Sequence, residues 1–200
     1  MSRAYLAFTA KGEALARRLV EALPGSVSRC GGDVTLKGWT AEHFAQDEAL
    51  IFVGAVGIAV RAIAPHCRSK AADPAVVVVD EAGRYAVPIL SGHLGGANDL
   101  ARRIAGLTGA EAVLTTATDV NGVFAADQWA RRQGLLVPWP ERILGVSSRL
   151  LAGGDGALLV PVSGVRALSR RTDLGGAGPG GHRGGLDAAP PGGPVAVPPD

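Results

Sequence analysis

The sequence predicts an α/β fold in which helices flank a mostly parallel sheet, because apolar strand-like runs alternate with amphipathic stretches along most of the chain. The clearest strand is Ala75–Val79, a valine-rich run typical of a strand that is buried on both faces of a sheet. The clearest helix is residues 12–23, where leucines recur at every fourth position opposite a charged face. Pro24 and Gly25 end that helix.

The other elements follow from apolar runs that are bounded by turn residues. The predicted strands are residues 5–8, 34–37, 49–53, 75–79, 85–90, 112–116 and 157–162. The predicted helices are residues 12–23, 41–46, 56–64, 99–109, 123–133 and 141–152. Thr40 is the expected N-cap of the second helix, and Pro65 ends the third. Residues 81–84 predict a hairpin-like turn before the strand at 85–90.

A composition break marks the expected domain organisation. Two prolines fall in residues 134–140, so we expect an N-terminal α/β domain over residues 1–136 and the start of a second, smaller α/β region over 137–174. From residue 175 to residue 200, more than half of the residues are Gly or Pro, with little apolar surface to bury. This composition predicts a disordered tail.

Composition argues against several function classes. The net charge is only +2, which gives no indication of nucleic-acid binding. The two cysteines, Cys30 and Cys67, have neither disulfide-framework nor zinc-site spacing. The N-terminus lacks the pattern of a signal peptide, and no apolar run reaches the roughly 18 residues that span a bilayer. We therefore expect a cytoplasmic protein that binds no membrane, metal or cofactor of its own.

The most informative segment joins the strand at 85–90 to the following helix. A glycine-rich turn at a helix start exposes backbone N–H groups that can hold an anion or a developing oxyanion. This turn also carries a hydroxyl, an imidazole and a carboxamide. The candidate residues are Ser91, Gly92, His93, Gly95, Gly96 and Asn98. The alternative is an ordinary tight turn in which Asn98 or Asp99 caps the helix.

A second candidate segment begins after the strand at 49–53. Gly54 and Gly57 would let a ligand approach the carboxyl end of that strand, although the glycines equally suit close packing. No acidic residue occurs between positions 48 and 73, and a cationic surface there would suit ligand carboxylates unless it is only a solvated face. The basic residues in that interval are Arg61, His66, Arg68 and Lys70.

A third polar cluster follows the strand at 112–116. Thr115, Thr116 and Asp119 would lie at the same sheet edge as the Ser91 segment, where Asp119 would orient His93 or bind a polar substrate group. In the simpler interpretation, Thr118 or Asp119 caps the next helix. A Ser–His–Asp hydrolase is not supported by spacing, because Ser91 lacks the G-x-S-x-G elbow.

Together, four motifs in this order resemble the cobalamin-biosynthesis protein G family. They are residues 54–61 (GAVGIAVR), Lys70 with residues 73–76 (DPAV), residues 91–98 (SGHLGGAN) and residues 115–119 (TTATD). The resemblance runs from the N-terminus to about Leu168. It implies a cobalt-precorrin-5A hydrolase of the anaerobic corrin pathway, which opens a lactone on the macrocycle and releases acetaldehyde. Cobalt would arrive within the corrinoid substrate, with other enzymes of that pathway as further candidate partners.

The resemblance agrees with the residue chemistry. A substrate that carries several carboxylates suits a cationic strand end, and lactone opening needs activated water and donors to a tetrahedral oxyanion. We expect His93 to be the acid or base, with Ser91 and Asp119 as further catalytic candidates. The N–H groups of Gly95 and Gly96 are candidate oxyanion donors.

The chain departs from the family at its C-terminus. Full-length members continue into a third domain with a Gly-rich, Cys/Arg-containing motif, whereas this sequence becomes rich in Gly, Pro and Arg after about Leu174. We expect a truncated or frame-shifted product. The alternative function is a non-catalytic corrinoid-binding module that needs a separate C-terminal domain. A nucleotide-binding protein is disfavoured, because the chain has neither G-x-x-x-x-G-K-[ST] nor a ribose-binding acid after G-x-G-x-x-G.

Overall fold

A computed structural model describes residues 1–69, 72–135, 137, 142–154, 158–160 and 166–168. Its strands are β1 (Arg3–Ala7), β2 (Ser26–Arg29), β3 (Ala49–Val53), β4 (Ala75–Val79), β5 (Tyr85–Leu90), β6 (Glu111–Ala112), β7 (Leu158–Val160) and β8 (Arg166–Leu168). Its helices are α1 (Ala10–Ala22), α2 (Leu36–Gln46), α3 (Val56–Ile63), α4 (Ala97–Thr108), α5 (Ala117–Val120), α6 (Ala126–Arg132) and α7 (Ile143–Leu151). A short 3-10 turn, Ala64–His66, follows α3.

Six strands form one sheet in the order β2-β1-β3-β4-β5-β6. All neighbours are parallel except β4 and β5, which pair antiparallel with Val79 opposite Ala86 and Val76 opposite Leu90. The prediction of an α/β fold with a mostly parallel sheet is confirmed.

The single reversal decides where each loop lies. Strands β1, β3 and β4 end at one edge of the sheet, which we call the Gly54 edge because Gly54 follows β3 there. Strands β5 and β6 run the other way and end at the opposite edge, beside the starts of β3 and β4. We call this the Ser91 edge. With five residues in β4 at about 3.3 Å each, the two edges are roughly 16 Å apart.

The core consists of two layers on either side of the sheet. Every residue of β3 and β4 is buried, as expected for central parallel strands. On one face, α1 and α4 pack against the sheet, with Leu19 and Ile104 among the buried contacts. On the other face, α2 and α3 do so through Trp39 and Ile63. Helices on both faces leave ligand sites to the loops at the edges.

The antiparallel pair arises from a tight turn after β4. The Asp80 carboxylate accepts hydrogen bonds from the backbone N–H groups of Arg84 (2.6 Å) and Tyr85 (2.8 Å), and Gly83 has a φ of 68°. These contacts reverse the chain over four residues. The hairpin-like turn expected at residues 81–84 is therefore present, and β5 occupies its predicted residues.

Two predictions near the N-terminus are wrong. Residues 34–37 are not a strand, because Thr35 caps α2 by accepting a hydrogen bond from the N–H of Gly38 at 3.1 Å. The helix therefore begins at Leu36, before Thr40, which is buried within it. Strand β2 was not predicted, since its Ser-Val-Ser-Arg sequence has little apolar pattern and it pairs with β1 alone.

Beyond β6 the described chain is helical, followed by a small hairpin. The predicted strand at 112–116 is shorter, and Thr116 caps α5 instead. Strand β7 lies within the strand predicted at 157–162 and pairs antiparallel with β8. The boundary at residue 136 stays a prediction, and the tail at 175–200 lies outside the described residues. Among the helices that the structure describes, none is both long and apolar enough to cross a membrane.

Candidate active site at the Ser91 edge

The loop between β5 and α4 is fixed by its own backbone and by one buried hydroxyl. Ser91 has a φ of 53°, and its hydroxyl donates a 2.9 Å hydrogen bond to the carbonyl of Asp73. The N–H of Ala97 bonds to the carbonyl of Ser91, and that of Asn98 to the carbonyl of Gly92. Ser91 therefore anchors the loop, and its buried hydroxyl proton is already used in the hydrogen bond to the Asp73 carbonyl.

Two glycines of the loop are required by close packing. A Cβ at Gly95 would overlap the Cβ of Ser91 and lie 2.9 Å from its carbonyl oxygen. Gly96 has a φ of 87° and lies directly against the Arg131 guanidinium, where a Cβ would overlap it. Gly96 also precedes α4 as its N-cap, a position without a side-chain cap bond. The sharp turn leaves no space for side chains at either position.

A buried carboxamide connects the loop to the segment after β6. Asn98 is 1% exposed, and its Nδ2 donates to Thr116 Oγ1 (3.0 Å) and Asp119 Oδ2 (2.8 Å). The Thr116 hydroxyl and the Arg102 guanidinium also donate to Asp119. A Cβ at Gly92 would lie 2.7 Å from the Asn98 amide oxygen, so this glycine leaves room for the carboxamide. Asn98 and Thr116 thus hold Asp119 in place.

His93 lies between two carboxylates, one at each ring nitrogen. Its Nε2 is 2.9 Å from Asp119 Oδ2, and its Nδ1 is 3.3 Å from Asp127 Oδ1. The Thr118 hydroxyl is 3.3 Å from Nε2. All three charged side chains are largely buried, with 14% of His93, 9% of Asp119 and 11% of Asp127 exposed. Such an arrangement favours the imidazolium form.

The protonation equilibria follow from these contacts. The hydrogen bond to Asp127 raises the pKa of His93 above 6.5, and the bond to Asp119 adds to it, against the opposing effect of burial. Burial would raise the pKa of Asp119, but hydrogen bonds from Thr116, His93 and Arg102 outweigh it and lower that pKa strongly. The pKa of Asp127 is also lowered, because the interaction with His93 outweighs burial. The two carboxylates therefore favour the protonated form of His93, the form that can donate a proton.

A third carboxylate, Asp99, ties α4 to α6. It accepts hydrogen bonds from Arg132 at 2.6 and 3.2 Å and from Gln128 at 3.3 Å. Arg102 and Arg131 approach it at 3.4 and 3.5 Å. These contacts hold α6 over the loop, so that Asp127 reaches His93 from the start of α6.

Two adjoining cavities of about 360 Å³ each open at the Ser91 edge. The first is bordered by Met1, Glu48, Asp73, Leu94, Gly95 and Arg131. The second is bordered by Phe44, Pro65, His66, Arg68 and Asp73. The two cavities share part of their lining, including Phe44 and Asp73, and we refer to them together as the groove. Gly95 lines the first cavity, and the basic side chains of His66 and Arg68 line the second. The groove would accept a ligand larger than either cavity.

The structure brings together only part of the predicted site. His93, Asp119, Thr116 and Asn98 form one cluster with the loop glycines, and the expectation that residues after β6 share an edge with Ser91 is confirmed. Thr115 is exposed at the same end of the sheet.

Gly54, Gly57 and Arg61 lie elsewhere. Gly54 follows β3 at the opposite edge, and a Cβ there would lie 2.6 Å from the ring of Phe8. This glycine therefore serves close packing, the alternative to ligand approach. The Arg61 guanidinium turns back toward Gly57, 3.8 Å from where a Cβ would lie. His66 and Arg68 lie at the Ser91 edge because α3 runs back across the sheet. Lys70 lies outside the described residues.

Sequence reasoning missed Asp127, Arg102 and Arg131. Asp127 was assigned only to the predicted helix at 123–133, and no spacing connects it with a histidine 34 positions earlier. The sequence does show that Asp127 and Arg131 are four residues apart in a predicted helix, which places both on one face of that helix.

The arrangement of the described side chains that could act as metal ligands gives no indication of a resident metal. Across the part of the chain that the structure describes, no group of three or more His, Cys, Asp or Glu side chains is arranged to hold a metal ion. The two carboxylates around His93 lie at opposite ring nitrogens, so they do not converge on one point.

Comparison with known proteins gives consistent matches. Residues 38–119 match the family model described as cobalamin synthesis G N-terminal. The chain is 46% identical over 138 residues to the cobalt-precorrin-5A hydrolase of Salmonella typhimurium, covering 64% of this chain and 39% of that protein. It is 39% identical over 108 residues to the cobalt-precorrin-5A hydrolase of Priestia megaterium, covering 54% and 29%.

A solved structure shares the fold. It is that of a cobalamin biosynthesis protein G homolog from Sulfolobus solfataricus, with a TM-score of 0.51 and 24% identity, covering 76% of this chain and 46% of the other. The chain thus spans less than half the length of each of these relatives.

Proposed function

Because residues 38–119 belong to the cobalamin synthesis G N-terminal family, we propose that this chain supplies the N-terminal part of a cobalt-precorrin-5A hydrolase of anaerobic cobalamin biosynthesis. The observation that carries the proposal is the His93 imidazole between Asp119 and Asp127, in the same loop as Leu94 and Gly95, which line the groove at the Ser91 edge. His93 and Asp119 both fall within the matched residues.

The proposed reaction begins with addition of water to the lactone carbonyl. The water releases one proton to the solvent, which leaves a tetrahedral oxyanion that carries one hydroxyl. When this intermediate collapses, the ring C–O bond breaks, leaving a carboxylic acid and an alkoxide that takes up a proton. The bond between the resulting alcohol carbon and the macrocycle then breaks. The hydroxyl loses its proton, the two-carbon unit leaves as acetaldehyde, and the bonding electron pair stays on the macrocycle.

We assign to His93 the proton that the leaving oxygen needs. Its pKa is raised, so its ring carries that proton to higher pH than an ordinary histidine does. Asp119 is a positioning residue, held by Asn98 and Thr116. The carboxylates of Asp119 and Asp127 are both paired with His93 and are therefore weak bases. We assign them the role of orienting the imidazole ring.

The Gly95 backbone supplies the candidate oxyanion donor. Gly95 borders the first cavity, and its N–H forms no hydrogen bond with the residues that the structure describes. An unpaired N–H at an open groove is suited to stabilise charge that develops on a substrate oxygen. We do not assign a nucleophilic role to Ser91, whose hydroxyl donates to the Asp73 carbonyl.

In this proposal the cobalt enters within the corrinoid substrate, and the protein needs no cofactor of its own. A cytoplasmic location and contacts with other enzymes of the pathway stay predictions. The corrinoid-binding module without activity is the competing outcome of the test that follows.

The test is acetaldehyde release from cobalt-precorrin-5A by the purified chain and by His93→Ala. We expect release by the wild-type chain, alone or with the C-terminal part of the Salmonella typhimurium relative added, and its loss in the variant. Thermal unfolding of the variant checks that the fold is retained. Corrinoid binding without release under either condition would support the binding module instead. Unchanged release by His93→Ala would remove His93 from the mechanism.

A further inference from the structure

The Arg131 guanidinium packs in the space that the absent side chain of Gly96 leaves open. It lies directly on Gly96, a buried glycine whose φ of 87° disfavours any side chain. Three atoms of the guanidinium occupy the space that a Cβ at Gly96 would need. The flat face of the guanidinium is therefore against the loop, and its edge is free to point elsewhere.

Among the residues that the structure describes, most of the hydrogen-bonding capacity of Arg131 is unused. A guanidinium has five N–H donors. Those of Arg131 make one contact of 3.5 Å with Asp99 and one of 4.0 Å with the sulfur of Met1. The neighbouring Arg132, by contrast, holds Asp99 at 2.6 and 3.2 Å. Asp99 is thus already neutralised by Arg132, and Arg131 retains donors.

These donors border the first cavity. Arg131 lines it together with Leu94 and Gly95, and its side chain is 32% exposed. Three carboxylates also line this cavity. Glu48 contacts the Met1 ammonium at 3.0 Å, and Asp47 lies 2.7 Å from the His43 ring. Asp73 accepts from the backbone N–H of Arg68 at 3.0 Å, which holds its position without cancelling its charge. Arg131 is therefore the cationic side chain of this cavity with donors left over.

We propose that Arg131 binds a carboxylate of the ligand at the Gly95 end of the groove. The inference rests on the proposed function, because a corrinoid precursor carries acetate and propionate side chains. A guanidinium edge can hold a carboxylate through two parallel hydrogen bonds. Arg131 lies one helical turn from Asp127 on α6, about 6 Å between Cβ atoms. The bound carboxylate would therefore fix the macrocycle next to His93.

A purely structural role for Arg131 makes a different prediction. If Arg131 only bridges α6 to the loop, its removal lowers the melting temperature and leaves ligand affinity unchanged in the folded protein. A carboxylate-binding role lowers affinity for acidic ligands alone. The chain offers a matched control in Arg132, which contacts the same Asp99 but does not border the cavity.

The experiment is calorimetric titration of the wild-type chain, Arg131→Ala, Arg131→Lys and Arg132→Ala with two probes. One probe is cobyrinic acid, a corrinoid with free carboxylates, and the other is its heptamethyl ester. For the acid we expect affinity to fall about ten-fold or more in Arg131→Ala, the usual effect of losing a charged hydrogen-bonded pair. We expect partial recovery in Arg131→Lys. In Arg132→Ala we expect a smaller loss than in Arg131→Ala, because Asp99 then draws on Arg131 while the Arg131 guanidinium itself stays at the cavity. The ester should bind all four proteins alike.

Equal affinity of Arg131→Ala and wild type for the acid would overturn the proposal, as would an equal loss in Arg132→Ala. Failure of the wild-type chain to prefer the acid over the ester would overturn it as well. The proposed function is judged separately by acetaldehyde release. If the wild-type chain releases acetaldehyde and Arg131→Ala binds cobyrinic acid as tightly as the wild type does, the carboxylate site is refuted and the hydrolase proposal is kept.

Discussion

Replacing Asn98 with Ala tests whether the buried carboxamide holds the candidate site together. The change removes one hydrogen bond to the neutral Thr116 hydroxyl and one to the charged Asp119, with Asn98 only 1% exposed. A neutral bond contributes about 1 kcal/mol and a bond to a charged group about 1.5–3 kcal/mol, so the free energy of unfolding should fall by about 2.5–4 kcal/mol. For a chain of this size the melting temperature should fall by roughly 5–15 °C.

The matched control is Asn121→Ala. That carboxamide donates one exposed 2.8 Å hydrogen bond to the Ala117 carbonyl, so its loss should cost less than about 0.5 kcal/mol. Urea denaturation at pH 7 measures both variants against the wild-type chain. If Asn98→Ala lost no more stability than Asn121→Ala, the reasoning that this network fixes the loop would be refuted.

Two further predictions concern the same loop. Gly95→Ala should lower the free energy of unfolding by about 1–3 kcal/mol through overpacking. Gly106→Ala, which has open space in the last turn of α4, should raise it by up to about 1 kcal/mol, and equal effects of the two substitutions would contradict the packing account. An NMR titration of His93 should give a pKa above 6.5, and Asp127→Asn should move it down because the largest stabilising contact of the imidazolium is gone. A pKa unaffected by that substitution would show that Asp127 does not act on the ring.

The central strands could be predicted from sequence to the residue. Ala49–Val53, Ala75–Val79 and Tyr85–Leu90 are apolar runs with Gly, Pro or Asp within two residues of each end, so burial and turn chemistry indicate the same limits. The strand Ser26–Arg29 was not predicted, because an edge strand that pairs with one neighbour needs no continuous apolar face. The Thr35 cap outweighed the apparent strand at 34–37 because the side chain satisfies an N–H at the helix start.

The candidate site was predictable only where its residues share one loop or one sheet edge. The contact of His93 with Asp119 follows from two neighbouring parallel strands, β5 and β6, that end together. The separation of Gly54 from this cluster depends on the reversal at β5, whose consequence appears only when the strand order is known. Asp127 reaches His93 because helix packing brings α6 over the loop, and no local pattern encodes that contact.

The most direct test of the account is the pH dependence of acetaldehyde release from cobalt-precorrin-5A, measured for the wild-type chain and Asp127→Asn. Each is assayed with the C-terminal part of the Salmonella typhimurium relative present. If the His93 imidazolium donates the proton, wild-type release should fall as pH rises through the raised pKa of His93. In Asp127→Asn the same fall should occur at lower pH. Release that increases over that range, or a profile unchanged by the substitution, would contradict the assignment of His93 as the acid.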